Sequence, residues 1–588
     1  MDYFFLNLFN LLLGDQNPGN KADERTILIA SHQTNSVGYE QKIGKVFTKN
    51  LLDVSPGHLI QNIPKHHQRV SVINSSSEQK INSYYISPLG NDFNLGTSPA
   101  SAWRTINKVN NSKFRPGDRI LFRGGAIFKG NLIFDANDRG TAINPIIISS
   151  YGRGRATINA GNETGINIHN TAGYYISNLN VFGSGSSTNR GDGINFYNDL
   201  AGNVKLEKIT FNNIEVSGFG NYGIAIGGWN QQSGYRNVRV TNVLTHDNRK
   251  AGLITYAQML NVNQNIYVAY VRAYNNLGIP EDSTPTGSGI VLGSVNTGVI
   301  ERSVAHNNGA LNNSPNGPVG IWTYDSTNIT IQYNESYKNR TGGTADGDGF
   351  DLDQNVSNSV VQYNFSHDND GAGFLLSQGA DNLNHTGNSI RYNISQNDAR
   401  KLNYGAIHIF GKVRNAEIYN NTVFMQAGST NSPSAVLIYN PVNSVHFRNN
   451  IFQTKNGLKL IVAPQNSTDL LFQGNNYYAT GSSFNIRWGE MTYNSLNSWR
   501  IITGQEKVLS RNVGMSLNPL FINPNAGKTI NNPALLNKLN AYRLGPTSPL
   551  IDAGLNLKLL FGINPGTQDF YGKVLPNRLG YDIGANEF

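Results

Sequence analysis

The chain has no cysteine, so it forms no disulfide and offers no thiolate to a metal. Charge is also scarce: Asp, Glu, Lys and Arg make up only 14% of 588 residues. No Lys/Arg run stands out, so the net charge of +9 is a diffuse field. That argues against nucleic acid as a partner and admits an acidic polysaccharide. The apolar start, Met1 to Gly14, is too short to span a bilayer. It carries Asp2 where an export signal wants positive charge, and no small-residue cleavage site follows closely. It reads as an atypical leader or a short amphipathic end, with no stable membrane insertion. What is plentiful is Gly (62), Tyr (28), Phe (26) and Asn. Such a composition suits an all-β chain with many tight turns and is too aromatic for a disordered one.

Residues 15 to about 80 are polar and patternless, and are expected to be a poorly ordered linker. The His66-His67 pair within them lacks further ligands nearby and reads as solvated. Order should begin at Tyr84-Tyr85-Ile86. Ser98-Pro99 looks like a helix N-cap followed by proline at N1. Ala102, Trp103, Ile106 and Val109 at helical spacing then predict one short amphipathic helix over 98–110. Strands are expected at Ile120–Phe122, Ile127–Phe128, Leu132–Phe134 and Ile146–Ile148.

From about 165 a repeat sets in. Short strands open with glycine and then alternate, at Gly193, Gly223, Gly252, Gly289, Gly320, Gly349 and Gly373, with gaps of 30, 29, 37, 31, 29 and 24 residues. A second element follows each; Ile331-Gln332-Tyr333-Asn334 matches Val361-Gln362-Tyr363-Asn364 and Ile390-Arg391-Tyr392-Asn393. Short strands with no helical period between them bury little as isolated hairpins, whereas stacked coils cover one another. The expected fold is therefore an all-β solenoid, a right-handed parallel β-helix with a short N-terminal capping helix. Asn334, Asn364, Asn393 and Asn421 should form an internal amide ladder. The expected organisation is 1–80 leader and linker, 81–160 opening segment and cap, 161–480 β-helix, and 481–588 a closing segment packed on it.

Four carboxylates fall within eight residues: Asp346, Asp348, Asp351 and Asp353. In Gly349-Phe350-Asp351-Leu352-Asp353 the apolar pair faces one way and the acidic pair the other, with the acids roughly 6.5–7 Å apart. Asp-Gly-Asp-Gly at 346–349 also has turn chemistry. Aligning the glycine-started strands places Trp322 and Tyr324 beside the acids on one side. Ser377 lies on the other side, with His408 and Lys412 one rung further. Rings beside carboxylates on a shallow face are what sugar binding needs. Asp368 and Asp370 follow His367 in a turn and read as structural.

The repeat resembles the right-handed parallel β-helix proteins of the pectate lyase-like superfamily. Tyr84-Tyr85-Ile86-Ser87-Pro88-Leu89-Gly90-Asn91-Asp92 resembles the opening of many bacterial members. Leu544-Gly545-Pro546-Thr547-Ser548-Pro549-Leu550-Ile551-Asp552-Ala553-Gly554 and Tyr581-Asp582-Ile583-Gly584-Ala585 resemble their closing segment. The resemblance covers about 84–588 and implies the fold more than any one reaction, since members include lyases, hydrolases, epimerases and non-catalytic surface proteins. The leading expectation is a secreted or cell-surface enzyme that cleaves an acidic polysaccharide by β-elimination. In that reading Asp346, Asp348, Asp351 and Asp353 gather Ca²⁺, and Lys412, His408 or Arg340 supplies the base. Trp322, Tyr324, Arg340 and Ser377 would hold substrate. The alternatives are an inverting glycoside hydrolase using Asp351 and Asp353 as acid and base, and a non-catalytic glycan-binding β-helix. Oligomeric state is left open.

Overall fold

The computed structural model describes residues 81–588, except 383, 427, 429, 430 and 525. The leader, the linker and the His66-His67 pair lie outside the described residues. The chain is a right-handed parallel β-helix of about 13 turns. A front sheet of 14 strands runs from Leu132–Phe134 to Met491–Tyr493. Its strands pair in parallel, one per turn, until the last reverses against Ile486–Trp488. The back of each turn belongs to a 23-stranded sheet. Three long back strands, Lys205–Ser217, Gly234–His246 and Asn263–Tyr274, bend round a corner unbroken. From Val295 onward the same path splits into two short strands, as in Thr327–Gln332 and Glu335–Tyr337.

Two columns of asparagine hold the corners. Each side-chain amide donates to the Oδ1 of the next: Asn334 to Asn364 at 3.0 Å, Asn364 to Asn393 at 3.1 Å, Asn393 to Asn421 at 3.0 Å, then on through Asn450 and Asn475. Glu506 ends this ladder by accepting from Asn475 at 2.9 Å. A second ladder runs Asn248, Asn276, Asn308, Asn339, Asn369 and ends on Asp398. The residue before each rung of the first ladder turns the corner in the left-handed region, at φ 55° for Tyr333, 57° for Tyr363 and 50° for Tyr392. A non-glycine residue there costs roughly 1–2 kcal/mol, which the buried amide bonds offset.

The front strands open with glycine because the opposite wall of the coil leaves no room. A Cβ at Gly349 would collide with Ser366 Oγ, and one at Gly320 with Ser336 Oγ. Behind them Ile290, Leu292, Ile321, Phe350, Leu352, Phe374 and Leu376 fill one continuous core.

The predicted single helix over 98–110 is two pieces. Ser98 caps a 3₁₀ turn at Pro99–Ser101 as expected. Trp103 then joins Ile86 in a β-bridge, and an α-helix follows at Ile106–Asn110. The break occurs because the Asp92 carboxylate, distant in sequence, accepts from the amides of Arg104 and Thr105 at 2.7 and 3.0 Å. At the far end Trp499, on the helix Leu496–Thr503, packs against Phe472, Tyr477 and Trp488. Residues after about 515 pack sideways on the back, where Phe521, Tyr542, Leu550 and Phe570 meet Phe365, Ile394, Phe424 and Ile451.

Candidate active site

The acidic strand, Asp348–Leu352, lies between Val319–Tyr324 and Phe374–Gln378. Phe350 and Leu352 are wholly buried in the core, so Asp351 projects from the outer face. The register places Asp351 between Trp322 and Leu375, and Leu375 beside His408. Trp322 continues to Val291, and Tyr324 to Gly293. Ser377 pairs with Phe410. The columns expected from the glycine alignment are thus the columns of the sheet.

The depth differs from the expectation of an exposed stripe. Asp351 is 3% exposed and Asp348 is fully buried, whereas Asp346 and Asp353 are partly exposed. The loops that lead into the front strands enclose the acids. Asp346 Oδ2 accepts from the Gly317 amide at 2.7 Å, and the Asp346 amide reaches Tyr404 Oη at 3.5 Å. Asp348 Oδ1 accepts from the Ala372 amide. Lys401 Nζ donates to the Thr341 carbonyl at 2.6 Å, tying two of these loops together. Asp346 and Asp353 therefore keep some contact with solvent, and Asp348 and Asp351 almost none.

Burial sets the charges. Desolvation pushes Asp353 up to about 7; the Gln354 amide and the Ser377 hydroxyl pull it down, and the Asp346 charge pushes it up. Burial lifts Asp346 to about 6 against the pull of the Gly317 amide. Asp351 is held well above the carboxylate range by burial and then by Asp353, Asp348 and Asp346. Asp348 is held there by burial and then by Asp346. Four ionised carboxylates this close cannot coexist in a low dielectric. Burial thus raises all four above the usual carboxylate range, Asp346 to about 6 and Asp353 to about 7.

Around them, the Trp322 indole N–H donates to Ser288 Oγ at 3.1 Å, and its ring lies 5.3 Å from that of Tyr324. Tyr324 folds over the front sheet into the space a side chain at Gly293 would take. His408 is 3% exposed, and burial pushes its imidazole down to about 3, so it is neutral. Neither of its ring nitrogens has a hydrogen-bond partner, and the same is true of Asp351 Oδ1 and Asp348 Oδ2. The Tyr404 ring stands edge-on to His408 at 4.4 Å.

Two expected site residues are engaged elsewhere. Lys412 is exposed and pairs with Asp381 at 2.6 Å. The Arg340 guanidinium donates to Asp370 Oδ1 at 2.7 Å and to the Asp368 carbonyl at 3.0 Å, fixing that turn. Among the described residues no three His, Asp or Glu side chains gather closely enough to hold a metal ion. Asp346, Asp348, Asp351 and Asp353, expected to gather Ca²⁺, form no such group as they are placed here. Tyr404, which meets both the Asp346 amide and the His408 ring, carries no signal in the sequence beyond directly preceding Gly405 at the start of the next front strand.

The family described as right handed beta helix region matches residues 281–423. A lacto-N-biosidase of Bifidobacterium longum subsp. longum is 25% identical over 470 residues, which are 63% of this chain and 28% of that protein. The chain thus spans under a third of the length of this curated relative. Among solved structures, a GH136 lacto-N-biosidase from Eubacterium ramulus is 17% identical, with a TM-score of 0.44 over 62% of this chain and 68% of that one. A pectate lyase is 16% identical, with a TM-score of 0.39 over 86% of this chain and 96% of that one.

Proposed function

We propose that the chain is a secreted or cell-surface glycoside hydrolase that cleaves an uncharged glycan, with Asp353 and Asp346 as its acid and base. One observation carries this reading. Of four clustered carboxylates, these two are partly exposed, and burial brings both towards neutral pH, Asp346 to about 6 and Asp353 to about 7. Hydrolysis needs one carboxylic acid to protonate the leaving oxygen and one carboxylate to take a proton from water as it attacks the anomeric carbon. Asp353 gives the proton and Asp346 receives one, so the pair is restored through solvent. Asp351 is more buried than Asp346, so Asp346 takes its place in the expected Asp351/Asp353 pairing. Trp322 and Tyr324 form the adjoining wall, with most of their surface already packed.

β-Elimination is less well supported. It needs positive charge to neutralise a uronate carboxylate, and the cations expected to supply it are paired elsewhere or neutral. A uronate would also meet the partly exposed Asp346 and Asp353. The lacto-N-biosidase likeness, at 25% identity, agrees with glycoside cleavage.

The test is to incubate the protein with neutral oligosaccharides, including p-nitrophenyl lacto-N-bioside, and separately with polyuronates. New reducing ends from a neutral glycan are expected, without the ultraviolet band of an unsaturated uronate. Asp353→Asn and Asp346→Asn should each lower kcat by roughly 10²–10⁴. An unsaturated product from a polyuronate, or full activity in both variants, would refute the assignment.

A further inference from the structure

The front strand Gly405–Gly411 lies two rungs beyond the acidic strand, about 10 Å away at ~4.8 Å per rung. Ile407 and Ile409 enter the core, so His408 and Phe410 share the outer face. His408 continues the column of Asp351, and Phe410 continues the column of Ser377, whose hydroxyl bonds to Asp353. Phe410 is 38% exposed, and Tyr439 on the next rung is 64% exposed. Their rings lie 5.6 Å apart at 33°, making one open platform in line with the acids. Beside it His408 is almost wholly buried, with both nitrogens unpartnered. A buried imidazole without partners loses its hydration and gains nothing in return unless a ligand supplies the bonds.

We propose that this strand is a sugar-binding subsite: His408 hydrogen-bonds a hydroxyl of an uncharged pyranose, whose face stacks on Phe410 and Tyr439. The inference rests on the hydrolase reading and adds the sugar unit beside the one at Asp353. A neutral imidazole offers one donor and one acceptor, which suits a hydroxyl, itself both donor and acceptor. Aromatic faces give the sugar's C–H surface an apolar seat. Lys412, two residues past Phe410, is ion-paired with Asp381.

The experiment uses the full chain carrying Asp353→Asn, so that glycans bind without being cleaved, on an array of neutral oligosaccharides of two to six units. The parent should bind at least one of them. Adding Phe410→Ala with Tyr439→Ala should weaken that signal roughly tenfold, the scale of a stacking contact. Adding His408→Phe, which keeps the buried volume, should weaken it by a similar factor. Both rings are exposed, so the double variant should melt with the parent. Unchanged binding in the double variant overturns the subsite while hydrolysis by the wild type stands. Binding that is lost in the variants, from a protein whose wild type cleaves nothing, keeps the subsite and defeats the hydrolase reading. No binding by the parent also overturns the subsite.

Discussion

Asp351 shows what the site asks of single residues. A carboxyl whose folded pKa is raised binds its proton in the native state when the unfolded chain has already lost it. Native stability therefore falls as pH rises from about 4 towards the folded value. Burial and three neighbouring acids put Asp351 in that position. Asp351→Asn should accordingly raise the melting temperature at pH 7 by roughly 1–3 °C and leave it nearly unchanged at pH 4. Scanning calorimetry at the two pH values checks this. A lower melting temperature at pH 7 would mean that the ionised side chain is held by favourable partners.

At the scale of elements, the asparagine ladder ties coil to coil. Asn393 accepts from both the backbone amide and the side chain of Asn364 and donates to Asn421 and to the Val361 carbonyl. Asn393→Ala strands buried donors and should destabilise the protein by about 1–3 kcal/mol, read from denaturant unfolding. This ladder was legible because Tyr-Asn recurs at 333–334, 363–364 and 392–393, about one coil apart each time. The lateral register of Trp322, Asp351, Leu375 and His408 was legible for the same reason. The burial of Asp348 and Asp351 was not. It is set by loops such as 341–347 and 398–404, which follow no period and meet through Lys401, Thr341 and Tyr404. The commitments of Arg340 and Lys412 were hidden likewise, since Asp370 and Asp381 sit in turns of unequal length. The break in the N-terminal helix depends on Asp92, which a local spacing rule cannot see.

Across the whole molecule, the closing segment is clipped to the back of the coils by one buried acid. Glu335 accepts from the amides of Ile530 and Asn531 and from His367 at 3.2 Å. His367 stands in a ring stack with Tyr337, His306, Tyr274 and His246. Burial pulls its pKa down, but its bonds to Asp368 and Glu335 outweigh that and raise it. A raised histidine contributes fully below about 6.5 and loses its contribution as pH rises through the folded value. Glu335→Ala should therefore speed proteolysis near Ile530, with the largest difference from wild type on the acid side, as limited digestion at pH 6 and 8.5 would show.

The central claim is that the outer pair of acids, and not a cation or a cationic base, performs the chemistry. The pH dependence of kcat/KM on a neutral oligosaccharide tests it most directly. A bell with limbs near 6 and 7 is predicted, because Asp346 must lose its proton and Asp353 must keep one. A rate that keeps climbing to pH 9, as a lysine or tyrosine base would give, contradicts the account.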